Sequence, residues 1–114
     1  MARKGSCHCG RIAFEVEGDL SQVIECNCSH CQRKGFLLAF VPRASFRLIT
    51  PDTTSTYLFN KHFIQHKFCP NCGTQPFGYG TDRGGKEIAA VNVRCLEDID
   101  LATLRIQKFD GRSL

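Results

Sequence analysis

The chain has 114 residues, 42% of them hydrophobic and 23% charged, and a formal net charge of +4. Its length suits one compact domain and is too short for two, and no apolar run is long enough to span a membrane. The basic residues are scattered, with no run longer than a pair, so nucleic acid is not the expected partner.

The first part of the chain predicts short β-strands around one helical turn. Residues 10–18 alternate apolar and polar side chains, which is the period of a half-buried strand. Residues 22–25 predict a second short strand, and Ser29–Lys34 predicts a helical turn. Residues 36–41 are apolar throughout, which indicates a strand buried on both faces that ends, or lies at an edge, at Pro42.

Further strands are predicted in the middle of the chain. Residues 46–50 and 55–59 are strand candidates separated by a turn-like TPDTT segment. Ile64, His66 and Phe68 alternate with polar residues, so a strand is expected to end next to Cys69.

The last part of the chain combines turns with two more strands. Residues 69–80 are turn-rich, and residues 81–86 predict an exposed loop or hairpin tip. Residues 87–93 and 104–109 predict strands, and residues 100–104 a helical turn. Together these elements predict a mainly β fold in one small domain, residues 1–114, with few short helical turns.

The eight cysteines indicate a metal framework rather than a disulfide framework. They are bunched as C-x-C, C-x-C-x-x-C and C-x-x-C, and such short spacings aim several sulfurs at one point. The basic N-terminus leads into no apolar stretch, so we expect no secretory signal and a reducing, cytoplasmic location. If seven thiolates hold two zinc ions, the net charge of +4 falls to about +1.

The C-P-N-C-G segment predicts a zinc knuckle. Cys69 and Cys72 project from one tight turn, and the following glycine permits the backbone conformation that such a turn requires. Cys7 and Cys9 form the other compact pair. A closed site of these four cysteines would contribute on the order of 10 kcal/mol to folding, as in small zinc modules.

This pairing leaves Cys26, Cys28 and Cys31 to hold a second metal ion. Structural zinc has four protein ligands, whereas catalytic zinc keeps one position for water or substrate. The spacing alone leaves an open three-cysteine site and a closed four-cysteine site completed by Cys95 about equally plausible. The other residues that could close the site are His30, His62 and His66.

The three cysteine motifs together, C-H-C-G, C-N-C-S-H-C and F-C-P-N-C-G-T, resemble the glutathione-dependent formaldehyde-activating family. The stretch TYLFNKHFIQHKFCPNCGTQPF looks like the centromere protein V-like branch of that family. The resemblance implies a mostly β, tent-like fold with two zinc ions per chain. The implied ligands are Cys7, Cys9, Cys69 and Cys72 for a structural zinc, and Cys26, Cys28 and Cys31 for a second zinc with an exchangeable fourth position.

The resemblance also implies an activity. It is that of a carbon–sulfur lyase of the S-(hydroxymethyl)glutathione synthase type, which adds glutathione to formaldehyde or a similar small aldehyde. Arg33 is the expected contact for a glutathione carboxylate, because it follows the second cluster and can form a bidentate ion pair. Asn27 stands where many family members have His. The alternative is a non-catalytic zinc module or glutathione-adduct carrier in which both zinc ions are structural. The sequence leaves the oligomeric state open.

Overall fold

A computed structural model describes residues 2–58, 64–82 and 84–113. Within these ranges the chain forms strands, one α-helix and four 3₁₀ turns. The strands are β1 (Arg3–Ser6), β2 (Ala13–Val16), β3 (Gln22–Cys26), β4 (Leu38–Pro42), β5 (Phe46–Leu48), β6 (Ser55–Tyr57), β7 (Ile64–Phe68), β8 (Phe77–Thr81), β9 (Glu87–Asn92) and β10 (Arg105–Phe109). The helix is α1 (Ser29–Lys34), and the 3₁₀ turns span Arg43–Ser45, Val93–Cys95, Leu101–Thr103 and Gly111–Ser113.

The described strands form two sheets. The smaller has the order β1-β2-β5, and the larger has the order β10-β3-β4-β9-β8-β7-β6. All neighbours are antiparallel except β3 and β10, which run parallel and place Phe109 opposite Cys26. This parallel pair brings a late segment of the chain to the end of β3, where the second cysteine cluster begins.

The main core lies between the two sheets. Phe14 on β2 stacks on Phe46 of β5, with ring centroids 5.2 Å apart, and meets Phe77 of β8 edge-on at 6.3 Å. The predicted alternation in β2 is confirmed, because Phe14 and Val16 are fully buried while Ala13 and Glu15 are partly exposed. Each of these aromatic rings buries a large apolar area and so contributes strongly to the core.

The larger sheet carries a second, smaller apolar cluster. Cys31 of α1, Phe36, Leu38 and Ala90 are buried together, and Cys26 and Cys28 pack against them. Ala90 lies between Ala89 and Val91, which both belong to the main core, so it faces the opposite side of the sheet. The two cysteine clusters therefore lie against different apolar cores.

The mainly β fold in one compact domain is confirmed, as are the helical turn α1, the 3₁₀ turn at Leu101–Thr103 and the hairpin between β8 and β9. The segment predicted as buried on both faces has one exception, Phe40, which is 42% exposed. Two strands were not predicted: β1, and β8 within the turn-rich segment. None of the described helices is long and apolar enough to cross a membrane.

Three of the predictions involve residues outside the described ranges. Phe59 ends one predicted strand, His62 is a candidate ligand, and Arg83 belongs to the predicted hairpin tip. The described part of the predicted strand is β6. In the described part of the hairpin tip, the Asp82 side chain fixes the turn. The carboxylate of Asp82 accepts hydrogen bonds from the backbone N–H groups of Gly84 and Lys86, both at 2.9 Å.

Candidate metal centres

Four sulfur atoms meet where the N-terminal turn approaches the turn after β7. The Sγ atoms of Cys7, Cys9, Cys69 and Cys72 all lie within 4.8 Å of one another. Cys9 Sγ is 3.7 Å from both Cys7 Sγ and Cys69 Sγ. A tetrahedral site with zinc–sulfur bonds of about 2.3 Å has sulfur–sulfur edges of about 3.8 Å. The donor set and its spacing therefore fit a four-thiolate metal ion, and we call this group the first cluster.

Two glycine-ended turns build the first cluster. Cys7 directly follows β1, and the turn after it passes through Gly10, whose φ is 84°. Cys69 directly follows β7, and the turn after it ends at Gly73, whose φ is 81° and whose N–H donates to the Cys69 carbonyl at 2.8 Å. A positive φ is favourable for glycine and strained for other residues, which explains the glycine after each cysteine pair.

The thiols of the first cluster differ in acidity. Burial raises the pKa of Cys7 to about 11, although the Ile12 N–H donates to its sulfur at 3.3 Å. The Thr74 hydroxyl, 3.5 Å from Cys72 Sγ, and the backbone N–H groups of Thr74 and Cys9 lower the pKa of Cys72 to about 5. The buried thiol needs a nearby cation to ionise, and a divalent metal ion is the group that would supply it.

Three sulfur atoms form the second cluster at the end of β3. The Sγ atoms of Cys26, Cys28 and Cys31 lie within 4.8 Å of one another. Cys28 is the N-cap of α1, and its sulfur accepts a hydrogen bond from the Cys31 N–H at 3.3 Å. The helix ends after less than two turns at Gly35, whose φ is 70° and whose N–H donates to the Cys31 carbonyl. The strand end, the cap and the first helical turn thus aim three thiols at one point.

Burial dominates the acidity of the second cluster. It raises the pKa of Cys31 well above its ordinary value and also raises that of Cys26, where the backbone N–H groups of Cys28 and Gly111 act in the opposite direction. Burial also raises the pKa of Cys28. Hydrogen bonds to its sulfur, chiefly from the Cys31 N–H, together outweigh burial, so the pKa of Cys28 is lowered overall. Cys28 is therefore the most readily ionised sulfur of the three.

No fourth Cys, His, Asp or Glu ligand joins the second cluster among the residues that the structure describes. Cys95 lies elsewhere: burial raises its pKa to about 11, and the neighbours that add to this shift are Cys7 and Cys72 of the first cluster. The His30 and His66 rings contact each other at a tilt of 46°, with ring centroids 4.2 Å apart. Both histidines thus belong to a group of aromatic rings beside the cluster.

Comparison with known proteins places this arrangement in a family. Residues 2–109 match the family described as glutathione-dependent formaldehyde-activating enzyme. The chain belongs to this family. A crystal structure of a Rhodobacter sphaeroides protein, a Northeast Structural Genomics target, is similar to it with a TM-score of 0.77 and 28% sequence identity, covering 91% of this chain and 99% of that chain. The matched residues include both cysteine clusters of this chain.

Glutathione carries two carboxylates, so positive charges beside the second cluster matter for a family that acts with it. Three guanidinium groups bind α1 or the residue that caps it. Arg33 donates to the Ser29 carbonyl at 3.0 Å, and Arg94 to the Gly35 carbonyl at 3.1 Å. Arg112 donates to the Gln32 side chain at 2.6 Å. The predicted cation Arg33 is therefore accompanied by Arg94 and Arg112, and of these only Arg112 was not singled out from the sequence.

A chain of buried polar side chains holds His66 in the ring group beside the second cluster. Asn92 Nδ2 donates to the Gln75 carbonyl at 3.0 Å, and Gln75 Nε2 lies 3.2 Å from His66 Nδ1. All three side chains are buried, and the His66 ring in turn contacts His30. Buried polar groups that are hydrogen-bonded in this way fix one arrangement of the side chains, because an unpaired alternative is costly.

Acidification is expected to destabilise the protein through His66. Burial and the charges of His30 and Lys34 lower the pKa of His66 from 6.5 to about 4. Between these values the unfolded chain binds a proton that the folded protein does not. Stability is therefore fully present above the unfolded pKa and falls as the pH drops toward the folded value, by about 1 kcal/mol at about pH 5.5.

Urea unfolding at about pH 7.5 and about pH 5.5 measures this effect. We expect the stability difference between the two pH values to be smaller by about 1 kcal/mol in His66→Gln than in the wild type. Because both proteins keep the same cysteines, the acid sensitivity of the thiolates cancels in the comparison. Equal pH dependence in the two proteins would show that His66 is protonated as readily in the folded protein as in the unfolded chain.

Proposed function

We propose that the protein is a zinc-dependent carbon–sulfur lyase of the S-(hydroxymethyl)glutathione synthase type, acting on glutathione and formaldehyde or a similar small aldehyde. In this proposal Cys7, Cys9, Cys69 and Cys72 hold a structural zinc, and Cys26, Cys28 and Cys31 hold a second zinc. Thiolates suit iron as well as zinc, so the choice of zinc is part of the proposal. So are a cytoplasmic location, where thiols remain reduced, and membership of the centromere protein V-like branch.

The observation that carries the proposal is the contrast between the two clusters. The first brings four sulfurs together, and the second brings three with no fourth ligand among the described residues. A protein site with three ligands leaves one position for a substrate group. The thiol of glutathione is the same kind of ligand as the three that are already present.

The second zinc would supply a cation that stabilises a fourth thiolate over the thiol. The glutathione sulfur then attacks the carbonyl carbon of the aldehyde: the carbon–sulfur bond forms, the carbonyl π bond breaks, and the oxygen takes up a proton. Because thiols add to formaldehyde unaided, what the site contributes is the ionised thiol and its position. The reverse reaction, cleavage of the adduct, uses the same contacts.

The residues around the second cluster have defined tasks in this proposal. Cys28, whose pKa is lowered on balance, is the sulfur that is most readily ionised to receive the metal ion. Glutathione carries two carboxylates, and Arg33 is the proposed contact for one of them. Arg33 belongs to α1, the helix that also carries Cys31, and its guanidinium is exposed. Arg94 and Arg112 add positive charge to the same helix and favour an anionic thiol.

The interconversion of glutathione, formaldehyde and their adduct can be followed at equilibrium by exchange NMR. We expect the protein loaded with two zinc ions to increase the exchange rate at least about tenfold over buffer, a modest enhancement for an enzyme. N-acetylcysteine, which has one carboxylate and one amide where glutathione has two of each, is the matched control thiol and should be accelerated less.

Two other results have distinct meanings. Binding of glutathione or its adduct without any acceleration of exchange would favour a carrier over an enzyme. Loading with two zinc ions but no effect of glutathione on either metal would contradict the open second site and favour a module in which both ions are structural.

A further inference from the structure

The turn Gly111–Ser113 packs directly on the second cluster. A Cβ atom added to Gly111 would overlap Cys26 Sγ and would lie 3.2 Å from Cys28 Cβ. Gly111 is not among the glycines with positive φ, so its backbone is one that other residues also adopt. The reason for glycine here is therefore space: only a residue without a side chain lets the turn approach the sulfur this closely.

Asn27, between the first two cysteines of the second cluster, fastens this turn in place. Its side-chain amide donates to Asp110 Oδ1 at 2.9 Å, and its side-chain carbonyl accepts from the Arg112 N–H at 2.9 Å. Its backbone N–H donates to the Phe109 carbonyl at 3.1 Å. One residue inside the ligand run thus makes three hydrogen bonds to the segment that covers it.

Two further contacts close the arrangement. The Arg112 guanidinium donates to the Gln32 side chain on α1 at 2.6 Å, next to Cys31. The Ser113 hydroxyl donates to the second oxygen of Asp110 at 2.6 Å, which keeps that carboxylate oriented toward Asn27. The turn is therefore tied to the cluster at the end of β3 and again on the helix.

We propose that the Gly111–Ser113 turn is a part of the second metal centre, in which Gly111 and Asn27 position the Cys26 and Cys28 sulfurs to bind the metal ion. This inference rests on the proposed function, because it requires that the second cluster hold a metal. Groups that pack against and orient the ligands of a metal site hold the donor atoms at the required separations, and their loss weakens metal binding about 10- to 100-fold.

The test compares Gly111→Ala with Gly84→Ala, a matched control in the β8–β9 hairpin. Among the described residues, a Cβ at Gly84 would meet the Asp82 carboxylate, at 3.4 Å, and neither residue belongs to a sulfur cluster. Zinc affinity at each site is measured by competition with a chromogenic chelator. We expect Gly111→Ala to weaken the second site about 10- to 100-fold and to leave the first unchanged, whereas Gly84→Ala changes neither.

Cobalt substitution gives a second readout that does not depend on activity. The thiolate-to-cobalt charge-transfer and d–d bands of the second site should lose intensity or shift in Gly111→Ala, because the methyl group displaces Cys26. Asn27→Ala removes the hydrogen bonds to the turn without adding volume, and we expect it to weaken the second site in the same direction. Asn27→Ala therefore still tests the role of the turn if Gly111→Ala does not fold.

The outcomes separate the two proposals. If the wild type binds two metal ions and both variants keep wild-type affinity and cobalt spectra, the role of the turn is overturned while the proposed function stands. If the wild type binds a metal ion only at the first cluster, the proposed function fails, and the inference fails with it.

Discussion

Cys69→Ser is expected to leave most of the protein unfolded at room temperature. Cys69 is fully buried and joins the turn after β7 to Cys7 and Cys9 near the N-terminus, 60 residues away in the sequence. Structural zinc contributes on the order of 10 kcal/mol in small zinc modules, and a whole domain of ordinary size has a net stability of about 5–15 kcal/mol. Loss of a ligand from this site is therefore expected to remove stabilisation comparable to the net folding free energy of the whole domain.

Circular dichroism melting and metal analysis measure this effect. Cys95→Ser is the matched control, because Cys95 lies beside the same cluster but belongs to neither group of sulfurs. We expect the control to bind two metal ions and to melt cooperatively within a few degrees of the wild type, as a loss of about 1 kcal/mol would allow. If Cys69→Ser melts as cooperatively as Cys95→Ser, the core alone stabilises the fold and the first cluster is not its structural centre.

The spacing of the cysteines predicted which sulfurs meet. Two residues separated by one or two positions and followed by glycine can form only a tight turn, and a four-ligand site requires a second such turn. The sulfurs of Cys7, Cys9, Cys69 and Cys72 do lie within 4.8 Å of one another, so this grouping could be read from the sequence. The ion that these four sulfurs hold could not be predicted, because the spacing of cysteines does not determine which ion they bind.

The strand β8 was missed because its sequence argues against a strand. Gly78 and Gly80 lower strand propensity, and the preceding C-P-N-C-G segment reads as a turn. The structure explains Gly78, since a Cβ atom there would lie 3.1 Å from the carbonyl oxygen of Gln65 on the neighbouring strand. The close approach of β7 to β8 therefore favours glycine at position 78, and this same glycine hides β8 in the sequence.

The surroundings of the second cluster depend on contacts that are distant in sequence. Asn27 meets Asp110 and Arg112 only because β10 pairs in parallel with β3, and nothing in the short patterns of either strand specifies that pairing. The chain of Asn92, Gln75 and His66 likewise joins three separate elements. The ligands could be predicted as local motifs, whereas the residues that support them follow from the sheet order.

Cys28→Ser is expected to remove the second metal ion and to return aldehyde addition to its rate in buffer, without unfolding the protein. Cys28 caps α1, and serine is among the best N-cap residues, so its hydroxyl can accept the Cys31 N–H in place of the sulfur. A neutral hydroxyl is a far weaker ligand than a thiolate for a soft site. The substitution therefore separates metal binding from helix formation, which an alanine at this position would not do.

Zinc content should fall from two ions per chain to one in Cys28→Ser, with the ion at the first cluster retained. Exchange NMR should show no acceleration of glutathione addition. Cys95→Ser serves again as control and should keep both ions and the full rate. If Cys28→Ser loses one ion but still accelerates the exchange, the reaction does not require the second metal ion. The positive charge that Arg33, Arg94 and Arg112 bring to α1 would then favour the anionic thiol without it.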